Sequence, residues 1–245
     1  MNVKISTLDV SPVPAVVEAS RRFKIANHLP TRDIWDYSRI VVTPDAVARV
    51  GKAYMDMPFM CADAPAAWRA MAEETARQFD FLTRSVASGG MGIVVSVESE
   101  DPYDTSAPGG TRKFFDDVEN GRMRVLDAAT TGGHFMFSDD VNNMFRAVHD
   151  VFGHAGTGRG VDRHGEEAAF RKHATMYSRL AQKALATETR GQNHAMIVNG
   201  GEFQEQKISI LPTWAREFRT VAPTTVGAFR AAFKQAQQFH TVQGL

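Results

Sequence analysis

Two histidines stand five residues apart in His149-Asp150-Val151-Phe152-Gly153-His154, at the end of a run that reads as helix. Neutral imidazole is the commonest metal ligand in proteins. On an ideal α-helix, side chains five apart diverge by about 140°. They can address one ion only where the helix stops or distorts. Gly153 is the expected place, because glycine leaves helical geometry cheaply. Gly156, Gly158 and Gly160 follow, so His154 is expected just past the helix end. Far along the chain stands Glu188, in Thr187-Glu188-Thr189-Arg190-Gly191-Gln192. Two histidines and one carboxylate make a facial triad that leaves coordination sites open and suits non-haem iron(II). The same ligand types also build hydrolytic zinc sites. The zinc-protease pattern is different, since its histidines lie four apart on an intact helix.

Neighbouring residues carry rival readings. Asp150 is a candidate catalytic acid: it orients an imidazole, contacts substrate or cofactor, or is a solvated group near a helix end. Glu166, His173, Tyr177, Ala184 and Glu188 fall roughly on one face of a single helix expected from Asp162 to about Glu188. That stripe lines a site, with Tyr177 as a second catalytic candidate, or it is a solvated face. Glu188 is preferred as ligand, because the helix ends there and Gly191 lets the chain turn inward. If Glu166 or Glu167 joins it, two metals can share the cavity. Phe135, Phe137, Phe145 and Phe152 are candidates for a stacking wall, with ordinary core packing as the alternative. Gly156-Thr157-Gly158-Arg159-Gly160 lacks the lysine of a phosphate-binding loop and reads as a flexible connection or lid. His164, His173 and His194 are read as surface residues or supports for the ligands. Trp35, Trp68 and Trp214 are read as core.

The positioning elements are mostly helical. Val3, Ile5, Leu8 and Val10 suggest an edge strand, and Pro14 to Leu29 a helix. Thr43-Pro44-Asp45 and Asp63-Ala64-Pro65 are helix starts. Trp68, Met71, Ala72, Phe79 and Leu82 follow the second at near-helical spacing. Ile93 to Val97 reads as a strand, Thr111 to Asn120 as a helix with Gly121 in the cap, and Arg122 to Leu126 as a second strand. Ser138 caps the helix that leads to His149. Gly200-Gly201 turns the chain. Pro212 and Pro223 each begin a further helix. The expected fold is mostly α with a small β component, as one metal-binding catalytic domain over 1–245. Residues 1–60 are read as a subdomain covering the site.

Bulk properties exclude rather than select. Lys+Arg and Asp+Glu are both 28 in 245 residues. That balance gives no bulk electrostatic grip on nucleic acid. Cys61 is the only cysteine, so no intrachain disulfide forms. No stretch approaches the ~20 apolar residues of a membrane span. The expectation is a soluble cytoplasmic protein that acts on a small molecule.

Residues 135–212 resemble the pterin-dependent aromatic amino acid hydroxylases. That family carries His-Glu-x-x-Gly-His, which reads His149-Asp150-Val151-Phe152-Gly153-His154 here. It places a glutamate ligand several turns later, matched by Glu188. A Gly-Glu segment then leads to a lysine and a Leu-Leu-Pro. Here these are Gly201-Glu202, Lys207 and Ile210-Leu211-Pro212. The resemblance implies a hydroxylase-like helical domain, Fe(II) on His149, His154 and Glu188, O₂ as oxidant and tetrahydropterin as co-reductant. Phe135 and Phe152 are then the candidate pterin contacts. Three departures matter. Asp150 replaces a pterin-holding glutamate, the entry to His149 is not proline-rich, and the interval to Glu188 is shorter. The arginine that receives an amino acid's carboxylate has only Arg146 and Arg190 as candidates. One competing reading is a His-Asp phosphohydrolase, with zinc as alternative metal and His134 and Asp162 as further ligands. Another is a non-enzymatic helical binding protein.

Overall fold

The computed structural model describes residues 11–217, apart from Ile34, Ser106 and Pro108. The edge strand expected over Val3–Val10 and the helix expected after Pro223 lie outside the described residues. The helices are α1 (Pro14–Ala26), α2 (Pro44–Asp56), α3 (Ala64–Thr83), α4 (Gly110–Glu119), α5 (Asp139–His149), α6 (Arg163–Ala174), α7 (Ala181–Ala186), α8 (Gln192–Val198) and α9 (Thr213–Arg216). Two π-helical segments interrupt the series. We call Asp150–Ala155 π1 and Thr187–Gly191 π2. Strands β1 (Val94–Glu98) and β2 (Arg122–Leu126) pair in parallel, with Val94 opposite Arg122 and Glu98 opposite Leu126. A parallel pair cannot be joined by a tight hairpin; α4 provides the crossover.

Local chemistry explains the helix starts. Thr43 accepts from the Ala46 N–H, Ser138 from Val141 N–H, and Asp162 from His164 and Gly165 N–H. Each satisfies backbone donors that the first helical turn leaves open. Asp63 makes no such bond, and α3 begins on Pro65 alone. At the other end of α2, Lys207 Nζ donates to the carbonyls of Met55 and Met57, at 2.5 and 2.6 Å.

The apolar interior is divided among clusters. Trp68 and Met71 of α3 pack with Phe145, Phe170, Tyr177 and Leu185. Val16 and Phe23 of α1 meet Phe115, Val125, Val148 and Phe152. Val50 and Tyr54 of α2 pack on Ala195, Leu211 and Ala215. Gly51 lets α2 lie against α8, since a Cβ there would come 2.7 Å from the His194 carbonyl oxygen. Trp68 is core as expected, but Trp214 is half exposed under the Arg49 guanidinium. No described helix is long and apolar enough to cross a membrane.

The single helix expected from Asp162 to Glu188 is not formed. The chain leaves helical geometry after Ala174 and re-enters at Ala181. The intervening turn is fixed by Glu74, whose carboxylate accepts from the Ser178 N–H at 2.7 Å. Gln182 Nε2 donates to the carbonyls of Ala174 and Tyr177. The stripe from Glu166 to Glu188 is therefore not one face of one helix.

Candidate metal centre

His154 does not lie beyond a helix end. The helix continues through it, and π1 widens the turn. An i→i+5 bonding pattern places residues five apart nearly above one another, which is the distortion the His-x₄-His spacing demanded. The imidazole centroids are 5.3 Å apart and perpendicular. Widening displaces backbone carbonyls, and buried carbonyls need donors. Thr157 Oγ1 donates to Gly153 O (2.8 Å) and His154 O (3.1 Å). The Val13 N–H at the start of α1 donates to Ala155 O at 2.9 Å. Gly153 has a role different from the one expected. Its backbone stays helical, and the missing side chain admits α6: a Cβ would sit 3.0 Å from Ala169 Cβ. That close approach puts Glu166, one turn before Ala169, beside the histidines.

Ligand atoms of His149, His154 and Glu166 lie within 4.8 Å of one another. Hydrogen bonds leave both histidines their outward lone pairs. His154 Nδ1–H donates to the Arg159 carbonyl at 3.0 Å, so Nε2 is the bare nitrogen, 3.5 Å from Glu166 Oε1. His149 Nδ1 faces His173 Nδ1 at 3.1 Å, which leaves His149 Nε2 for the cavity. A ligating histidine typically donates its other ring N–H to such a protein acceptor. The segment Gly156–Gly160 is buried throughout rather than a loose lid. Arg159 anchors it by donating to Ser38 O at 2.8 Å.

Electrostatics favour a cation here. Burial, with help from Asp162, pushes the Glu166 carboxyl up to about 8. Burial holds His149 well below the usual imidazole range, aided by His173 and His154. No cation is among the groups that act on the half-buried Glu166 carboxyl to hold it as a carboxylate. A divalent ion supplies that positive charge, so the three residues fit one.

The group opens on a cavity of about 530 Å³, whose walls include Phe145, Arg146, His149, Glu166, Glu188, Gln192, Asn193, Phe203 and Gln206. Glu188 faces this cavity but is not a member of the compact group. Its carboxylate accepts from Gln206 Nε2 at 3.0 and 2.9 Å. His134 Nε2 lies 3.5 Å away. His134 Nδ1 accepts the N–H groups of Met136 and Phe137, so its proton is on Nε2, facing Glu188.

The remaining expected site residues are dispersed. Tyr177 is buried away from the cavity wall, with its hydroxyl 2.7 Å from Thr75 Oγ1. Phe152 is core, stacked on Phe81, and Phe135 is exposed against Phe59. Neither lines the cavity, whose rings are Phe145 and Phe203. Asp150 is half-buried outside the cavity wall. Burial raises its carboxyl to about 6, against the opposing pull of His154. Asp162 is occupied in capping α6. Glu167 is buried between Arg190 and Arg171, which hold its carboxyl down at about 2 despite burial. Arg190 is thereby committed, and Arg146 is the guanidinium on the cavity wall. It donates to Leu126 O and Thr131 Oγ1. His164, His173 and His194 are all buried.

Sequence reasoning ranked Glu166 below Glu188 and did not single out Gln78, Gln206 or Arg159. A signal for Gln78 existed. Trp68, Met71, Thr75, Gln78 and Leu82 form one buried stripe of α3, and two of the five are polar. A comparison with protein families, with curated proteins and with solved structures finds no match for this chain.

Proposed function

We propose that this protein is a metal-dependent enzyme in which His149, His154 and Glu166 hold one divalent cation, and that it is a non-haem iron(II) monooxygenase. One observation carries the reading: three ligand atoms lie within 4.8 Å while each histidine's other nitrogen is engaged by the protein. Two imidazoles and one carboxylate suit iron(II) and leave positions open toward the cavity. The order of short segments shared with the pterin-dependent hydroxylases supports the same chemistry. Here, however, we assign the carboxylate to Glu166 rather than Glu188, because its ligand atom lies with those of the two histidines.

Bound iron would supply O₂ activation, with tetrahydropterin as the two-electron co-reductant that the resemblance implies. The chain's own residues do the rest. Phe145 and Phe203 offer ring faces to a planar group. Arg146 offers positive charge. Glu188, oriented by Gln206, receives or returns a proton at its carboxylate. Burial of π1 keeps bulk water from His154.

That second carboxylate also favours one alternative. In a metal-dependent hydrolase with zinc in the same three ligands, Glu188 on the same cavity wall would serve as general base. The test is metal analysis after chelator-free purification, followed by O₂ uptake with tetrahydropterin and phosphate release from phosphoesters. Near-stoichiometric iron with pterin-dependent O₂ consumption is expected. Phosphate release on zinc without O₂ uptake selects the alternative. Wild-type protein that binds neither iron nor zinc removes both.

A further inference from the structure

His149 belongs to a buried chain that runs away from the cavity into α3. Gln78 Nε2 donates to the Met176 carbonyl at 3.4 Å, which turns Gln78 Oε1 toward His173 Nε2 at 2.9 Å. An amide oxygen only accepts, so His173 carries its proton on Nε2. The other His173 nitrogen, Nδ1, is then a bare lone pair. It faces His149 Nδ1 at 3.1 Å, so His149 must be the donor across that contact. His149 therefore has its proton on Nδ1 and its lone pair on Nε2, toward the cavity. Gln78, His149 and His173 are all at least nine-tenths buried, so water does not compete for these bonds. Gln78 and His173 belong to α3 and α6, both of which pack against α5. The turn after α6 holds the amide in place through Met176, and Tyr177 packs its ring on His173 at 4.9 Å.

We infer that Gln78, acting through His173, is a positioning residue that fixes His149 in its metal-binding tautomer. The inference rests on the metal reading above, but the tautomer itself can be observed without metal. Reversing one amide would reverse the chain: a donor facing His173 Nε2 moves the proton to His173 Nδ1, and His149 then presents N–H to the cavity. The neutral ring has one proton to place, and this network decides which nitrogen takes it.

The experiment uses the metal-free full chain and long-range ¹H–¹⁵N correlation spectra of the histidine rings. Wild-type His149 is expected as the Nδ1–H form and His173 as the Nε2–H form. Gln78→Leu removes the acceptor and should give His149 as a tautomer mixture. Its Co(II) affinity should fall about 10–100-fold, the usual effect of removing a ligand's hydrogen-bonding support. Gln78→Glu keeps an acceptor and should preserve both the tautomer and the Co(II) visible bands. Wild-type His149 in the Nε2–H form overturns the inference whatever happens to the variants. So does Gln78→Leu with an unchanged His149 tautomer. If wild type binds no Co(II) yet shows the expected tautomers, the metal reading fails and the positioning network stands.

Discussion

The two π segments make an instructive pair. Each interrupts a helix, and each holds a candidate site residue: π1 carries His154 beside the cavity-lining His149 and Glu166, and π2 carries Glu188 on the cavity wall. In π1 the neighbours consume the N–H groups of the histidines and leave their lone pairs unspent. In π2 a neighbour consumes lone pairs, because Gln206 Nε2 donates to both oxygens of the Glu188 carboxylate. In the proposed centre, the choice of ligands therefore rests on which polar atoms the surroundings have already satisfied, as well as on residue type. Glu166 belongs with π1 in this respect. It is half-buried beside the bare Nε2 of His154.

That contrast is sharpened first by removing ligands. His149→Ala and His154→Ala should each abolish stoichiometric metal binding, measured by mass spectrometry of the purified protein. Retention of full occupancy in both would dissolve the proposed centre.

The next effect concerns the buried ion pairs beside it. Glu167 ties α6 to π2 through Arg190, and its folded carboxyl is held near 2 against 4.5 when free. This contribution to stability is present above about 4.5 and is lost as pH falls toward 2. Glu167→Gln leaves two guanidinium groups short of a counter-charge and should cost about 3–5 kcal/mol in urea unfolding at neutral pH. A cost under ~1 kcal/mol would show that the ion pairs do not anchor π2.

Glu166 should behave in the opposite sense. In the metal-free protein its folded carboxyl lies near 8, above its free value of 4.5. The unfolded chain ionises first, so stability is lost progressively as pH rises from about 4.5 to 8. Metal-free Glu166→Gln should thus match wild type near pH 4 and exceed it at pH 8 by on the order of 2–4 kcal/mol. Equal urea midpoints at pH 8 would contradict this.

The smallest effect tests the backbone approach. At Gly153 a new Cβ meets Ala169 Cβ at 3.0 Å and its carbonyl oxygen at 3.1 Å, whereas at Gly156 its nearest neighbour is 3.5 Å away. Gly153→Ala should cost about 1–3 kcal/mol and weaken metal binding by moving Glu166. Gly156→Ala should do much less. Similar Tm values for the two variants would remove the packing argument.

Much of this was legible in the residues. The caps at Thr43, Ser138 and Asp162, the two short strands and the Gly200-Gly201 turn all follow from local chemistry, which acts within a few residues. The spacing of His149 and His154 demanded a distortion, although not its form. A π turn and a helix end satisfy the same five-residue separation, and only the carbonyl partners from Thr157 and Val13 decide between them. The ranking of carboxylates was not legible. It assumed one continuous helix to Glu188, and the break after Ala174 depends on Glu74, about a hundred residues away in sequence. Gln78 was hidden for the same reason, since its amide acquires meaning only once the fold brings α3 to His173 of α6.

The most direct test of the central claim compares two conservative variants, Glu166→Gln and Glu188→Gln, purified without chelators and measured for bound metal per chain. The account predicts that the first loses its metal, while the second keeps wild-type occupancy and loses turnover. Full occupancy in Glu166→Gln with an empty Glu188→Gln would contradict it and return the third ligand to π2.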